Sequence, residues 1–84
     1  MGAPGVLRSA VALLEQGDWQ AAHEIVQKDE DSALSCWAHG IVHVMEGDLP
    51  NARYWYGQAQ RAFPAQPDAK SETRALSRAL DEKS

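Results

Sequence analysis

The chain has 84 residues, of which 44% are hydrophobic, and its formal net charge is −4. Because the sequence is acidic and has no dense basic patch, we do not expect it to bind nucleic acid. A chain of this length buries only roughly 60–70% of its unfolded surface, so most large apolar side chains are needed for packing, and we expect one domain over residues 1–84. No apolar run approaches the roughly 18–20 residues of a membrane-spanning helix, and the single Cys36 cannot form an internal disulfide, so we expect a cytoplasmic protein without membrane contacts.

A first helical hairpin is predicted over about residues 6–28. Residues 6–16 lack Gly and Pro and place apolar side chains at helical spacing. Gly17 is suited to end this helix, because glycine adopts positive φ without strain. Asp18 is a good N-cap for a second helix, which we expect to run to about Lys28.

A third helix is predicted from Ala33 to Glu46. It is apolar nearly all round, which is typical of a helix that lies between other helices. The acidic run from Asp29 to Ser32 separates it from the second helix and supplies its N-cap. We therefore expect this helix to form the centre of the core.

A second hairpin and a closing helix complete the predicted fold, which is all-α with five helices. Gly47 and Asp48 repeat the pattern of a glycine that ends one helix and an aspartate that caps the next. Pro50 suits the first turn of a fourth helix, because backbone N–H groups in that turn have no hydrogen-bond partner within the helix. We expect this hairpin to cover about residues 33–63, up to the prolines that follow. A last helix over about residues 68–82 has a narrow apolar side, so we expect it to cap the exposed end.

The two Gly-Asp pairs lie 30 residues apart, each between two predicted helices. A period near this length is typical of stacked helical hairpins. The second unit resembles the tetratricopeptide repeat (TPR) over roughly residues 33–64, at the positions Gly40, Gly47, Asp48, Ala52, Tyr56, Ala59 and Pro64. It departs from that family at His43, where tyrosine is usual, and at His39, where leucine is usual.

The string from Trp37 to Tyr56 is also similar to a group of small uncharacterised TPR-like proteins. The resemblance implies two antiparallel hairpins in a right-handed superhelical stack, closed by a capping helix. It also implies a concave groove that binds a protein or a peptide.

Histidines form the most suggestive polar pattern. His39 and His43 lie one turn apart on the third helix, with Glu46 a further turn on and His23 on the preceding helix. Two histidines at i and i+4 can chelate a metal ion, and a ligand from a neighbouring helix can complete the site. The alternatives are core-edge histidines that bond to nearby polar groups and a pocket for a small ligand. No glutamate stands between the two histidines as in HExxH, so a metalloprotease is not expected.

The third helix also carries an apolar face. An exposed face of this kind would bind a partner or a second copy of the chain, whereas a face covered by the last helix is simply core. We expect partial cover by the chain, because small domains rarely spare much apolar area. The predicted partner-binding residues are Leu34, Trp37, Ile41, Val44 and Met45, with Arg8 and Glu15 at the rim.

Catalytic patterns are not found in the sequence. It has no Ser–His–acid spacing, glycine-rich phosphate loop or cysteine metal pair, and Cys36 is expected to pack as a small hydrophobe. The leading hypothesis is therefore a non-enzymatic TPR-type module that binds a protein or peptide, including a second copy of itself, without a cofactor. The alternative is a small metal- or ligand-binding protein that uses His23, His39, His43 and Glu46.

Overall fold

A computed structural model describes residues 4–29 and 32–83, and this part of the chain is all-α, with five helices and no strand. The predicted fold class and the order of the helices are confirmed. The third helix has the predicted bounds, whereas the second is shorter than expected. The helices are α1 (Pro4–Glu15), α2 (Trp19–Val26), α3 (Ala33–Glu46), α4 (Leu49–Gln58) and α5 (Ala69–Lys83).

The chain reverses between α1 and α2 at Gly17, as predicted. Gly17 adopts φ +80°, and the N–H of Asp18 donates to the carbonyl of Leu13 at 2.9 Å, which closes the end of α1. The carboxylate of Asp18 then accepts from the N–H of Ala21 at 3.2 Å and caps α2.

A second reversal, between α3 and α4, follows the same chemistry. Gly47 adopts φ +90°, and the carboxylate of Asp48 accepts from the N–H of Asn51 at 3.3 Å. At the other end of α3, the hydroxyl of Ser32 accepts from the N–H of Ser35, as the predicted N-cap. Glu30 and Asp31, which belong to the predicted acidic break, lie outside the described residues.

The end of α4 differs from the prediction. The helix stops at Gln58, well before the predicted end near residue 63, because Gln60 adopts φ +60°. The N–H of Arg61 donates to the carbonyl of Tyr56 at 3.0 Å, and that of Gln60 donates to Gly57 at 3.0 Å. These two bonds form a Schellman motif, which normally takes glycine at the left-handed position.

Helix α3 is the centre of the core, as predicted. It packs against α1, α2, α4 and α5, and every residue from Ser35 to His43 is buried. At Gly40, a Cβ atom would lie 2.5 Å from the ring of Tyr56, so the absence of a side chain lets α4 approach closely. This close approach places the side chains of α4 beside the polar edge of α3.

Helix α5 lies across α1 and α3. Its own residues Thr73, Leu76 and Leu80 are buried, in agreement with its predicted apolar side. The guanidinium of Arg8 on α1 contacts the carboxylate of Asp81 at 2.8 Å. Its contacts with α1 and α3 place this helix against the apolar core, and its role as a cap of a repeat stays a prediction.

Candidate metal centre

The imidazole rings of His23, His39 and His43 converge, and we call them the trihistidine cluster. His23 lies in the last turn of α2, and the packing of α2 on α3 places its Nε2 3.1 Å from Nε2 of His39. The ring centroid of His43 lies 5.1 Å from that of His39 and 5.4 Å from that of His23. One donor atom from each ring lies within 4.8 Å of the other two.

These distances suit a metal ion. A tetrahedral zinc ion with Zn–N bonds of about 2.05 Å holds its nitrogen ligands about 3.3 Å apart. Nε2 of His23 and Nε2 of His39, which share a hydrogen bond of 3.1 Å, are close to that spacing. The donor atom of His43 lies within 4.8 Å of both and would have to move closer to reach it. The sequence left open whether these histidines converge, and the fold brings those of α2 and α3 together.

The environment of the trihistidine cluster keeps His39 neutral. His39 is only 4% exposed, and its ring stacks on the indole of Trp55 with the centroids 3.9 Å apart and the planes 9° apart. Burial, reinforced by the neighbouring rings of His23 and His43, lowers the pKa of His39 to about 4. At neutral pH this imidazole therefore keeps a lone pair for a metal ion or a hydrogen-bond donor.

Glu46 acts on the trihistidine cluster through His43. Its Oε1 lies 2.8 Å from Nδ1 of His43, an arrangement in which the ring donates Nδ1–H and keeps Nε2 for a ligand. Glu46 was among the candidate metal-binding residues of the sequence, and in the structure its carboxylate contacts the ring of His43. Carboxylate–histidine pairs of this kind are the usual outer shell of metal centres.

Two residues of this region were missed by sequence analysis. Asp48 joins His43 and Glu46 in a second, more exposed group whose donor atoms also lie within 4.8 Å of one another. Trp55 covers His39 from α4. The sequence offered a signal for Asp48, which stands two residues after Glu46, but the stack of Trp55 on His39 depends on how α4 packs on α3.

The predicted partner-binding residues lie in or against the core. Trp37 and Ile41 are 1% and 0% exposed, and both belong to the apolar core that α5 helps to cover. The remaining three, Leu34, Val44 and Met45, are half-buried and pack against that core. A partner therefore has no access to the two central anchors while α5 is in place.

A cavity of about 400 Å³ opens between the ends of α1 and α3 and the start of α5. Met45 and Glu15, which were predicted to bind a partner, line it, whereas the predicted rim residue Arg8 is paired with Asp81. Its walls are Leu14, Glu15, Gln16, Gly17, Met45, Lys70, Thr73 and Arg74.

Cys36 is buried, as expected of a cysteine that packs as a small hydrophobe. In the described part of the chain, no helix has both the length and the apolar character that crossing a bilayer requires.

Comparisons with known proteins add no relative. No protein-family model matches the chain, and searches of curated proteins and of solved structures find no significant match. The fold and site together define a small all-α domain of helical hairpins with a trihistidine cluster at the junction of α2, α3 and α4. The resemblance to tetratricopeptide repeats stays a prediction.

Proposed function

We propose that this protein binds one transition-metal ion at the trihistidine cluster, with His23, His39 and His43 as ligands and Glu46 as the group that orients His43. The observation that carries the proposal is the 3.1 Å approach of two Nε2 atoms from different helices, with a third imidazole beside them. Protein cores seldom place three ionisable rings together unless each has a task or a partner.

Imidazole ligands favour a particular class of ion. Neutral ring nitrogens suit Zn(II), Co(II), Ni(II) and Cu(II), whereas Mg(II) and Ca(II) prefer oxygen ligands. The low pKa of His39 favours the unprotonated ligand at neutral pH. We therefore expect the protein to discriminate strongly against the two alkaline-earth ions.

The experiment compares metal binding by untagged protein and two variants of α2. His23→Gln removes the half-buried ligand, and Glu24→Gln is the matched control, because Glu24 is the exposed neighbour on the same helix. We expect elemental analysis to find one Zn(II) per chain after loading and desalting. His23→Gln should weaken affinity at least tenfold, given that changes outside the ligand shell alone cost 10–100-fold, and Glu24→Gln should leave it unchanged.

Thermal unfolding gives an independent readout. A free ion concentration of about 100 times Kd stabilises the folded state by about 2.7 kcal/mol, which raises Tm by roughly 10–20 °C for a domain of this size. Absence of any shift with all four ions, or an equal shift in His23→Gln, would remove the proposal. In that case the three histidines serve only as a hydrogen-bonded edge of the core.

A second candidate is a TPR-type module that binds a protein, a peptide or a second copy of the chain. The cavity beside Met45 and Glu15 supports this candidate. Lys70 and Arg74 line the cavity together with apolar atoms, so the cavity could receive an apolar side chain that stands next to an acidic group. Sedimentation equilibrium tests self-association directly. A concentration-dependent mass that Met45→Glu abolishes supports it, and a monomer at all concentrations removes self-association.

A further inference from the structure

We infer that a metal ion in the trihistidine cluster keeps one coordination position for a small exogenous anion, with water or hydroxide there when no other ligand is present. The inference rests on the proposed function. It adds a second ligand class to the protein, namely monovalent anions of the size of azide or acetate.

The number of protein donors leads to this inference. Zn(II) and Co(II) in proteins are usually four-coordinate, and sites with three protein ligands hold a water or substrate in the fourth position. Within the described residues, the donor group around His39 consists of His23, His39 and His43 alone. Of the two acidic groups beside His43, Glu46 has one oxygen 2.8 Å from Nδ1 of that ring, and Asp48 belongs to the separate group of His43, Glu46 and Asp48.

Charge selects an anion for the fourth position. Three neutral imidazoles leave the +2 charge of the ion without a directly bound negative ligand, and burial of His39 and His43 weakens solvent screening around it. An anion that replaces bound water lowers the charge of the centre from +2 to +1. The negative charge of Glu46 offsets the charge of the ion only indirectly, because the carboxylate contacts the ring of His43 and not the ion.

Access limits the ligand to a small one. His39 and His43 are 4% and 7% exposed, and Trp55 stacks directly on His39, so these rings close two sides of the cluster. His23 is the least buried of the three rings, so the open position lies on the side of α2. A compact anion fits such an approach better than a bulky chelating ligand.

The experiment uses full-length, untagged protein loaded with Co(II), whose visible absorption bands report coordination. Azide is the probe, and acetate is a second anion of different shape. We expect azide to shift the visible bands along a saturating 1:1 curve, because it replaces water on the ion. Glu24→Gln is the control and should give the same response to azide as the natural sequence, and Glu46→Gln, saturated with Co(II), tests whether the carboxylate itself fills the position.

The outcomes separate the inference from the function on which it rests. Failure of the protein to bind Co(II) overturns the proposed function. Binding of Co(II) with no response to azide or acetate overturns only the inference, because the position is then closed. A response that appears in Glu46→Gln but not in the natural sequence also overturns it, because Glu46 itself is then the fourth ligand.

Discussion

Tyr56 on α4 donates a 2.6 Å hydrogen bond to Glu72 on α5, although the backbones of these two described helices do not pack against each other. The indole Nε1 of Trp37 on α3 donates to the same carboxylate oxygen at 3.2 Å. Burial and the contact with Glu72 raise the pKa of Tyr56, so its hydroxyl stays protonated as a donor. Glu72 thus fastens α5 over the apolar face of α3.

Glu72→Ala is expected to lower the free energy of unfolding by about 2–4 kcal/mol. The substitution leaves the hydroxyl of Tyr56 and the indole N–H of Trp37 without an acceptor, and both residues are 1% exposed. Urea denaturation measures the change, with Glu82→Ala on the exposed side of α5 as the control. Equal effects of the two substitutions would show that the Glu72 contacts contribute nothing specific.

Gly40→Ala is expected to destabilise the fold by about 1–3 kcal/mol. A methyl group at this position meets the ring of Tyr56 at 2.5 Å and must push α4 away from α3. The matched control is Gly57→Ala, because a Cβ at this position meets nothing within 4 Å. We expect this substitution to raise the free energy of unfolding by about 0.5–1 kcal/mol through helix propensity alone. Thermal or urea unfolding of the two variants should therefore give changes of opposite sign.

Gln60→Gly is expected to stabilise the protein by about 0.5–1 kcal/mol. Gln60 holds the left-handed conformation that ends α4, at φ +60°, and glycine adopts it without the steric cost of a Cβ. Gln58→Gly is the control, because Gln58 is the last residue of α4. Glycine has a lower helix propensity, so this substitution should lower the free energy of unfolding by about 0.5–1 kcal/mol. A loss of stability in both variants would contradict the explanation given for the early end of α4.

Local signals in the sequence predicted most of the fold. Gly17 and Gly47 end helices in the left-handed conformation at the expected positions, and Ser32 caps α3 as expected, because these effects act within a few residues. The end of α4 was not predictable in this way, since Gln60 occupies a position that favours glycine. Its conformation depends on the Schellman bonds formed by the chain after α4.

The candidate site was predictable only in part. The spacing of His39 and His43 places both on one face of α3, and this follows from helical periodicity alone. The approach of His23 depends on how α2 packs on α3, and the stack of Trp55 on His39 depends on the close contact of α4 at Gly40. Neither contact has a signature within a single helix.

Glu46→Gln is expected to weaken metal affinity by about 10–100-fold while leaving the fold intact. The amide keeps the shape of the side chain but loses the charge that fixes the Nδ1–H tautomer of His43. Competition with a chromophoric chelator measures the affinity, and circular dichroism checks the fold. Unchanged affinity would show that Glu46 does not orient His43, and complete loss of binding would indicate a direct ligand.

The metal-free protein, kept in a chelator, is expected to lose stability as the pH falls from about 6.5 to about 4. The pKa of His39 is lowered from 6.5 to about 4 in the folded state, chiefly by burial and then by His23 and His43. Between these values the unfolded chain holds a proton that the folded chain does not, so the free energy of unfolding decreases as the pH falls through this window and is constant above it.

Protonation of His39 is expected to lower the free energy of unfolding by about 2 kcal/mol across this pH window, after allowance for partial solvent screening of the ring. Urea denaturation across the window measures it, and His39→Gln, which removes the titrating group, should flatten the curve relative to the natural sequence. The charged or titratable groups around His39 are His23 on α2 and His43 and Glu46 on α3. An NMR titration of the His39 ring with a midpoint near its ordinary pKa would contradict this prediction, because the three rings would then be open to solvent and too loosely held to preorganise a metal centre.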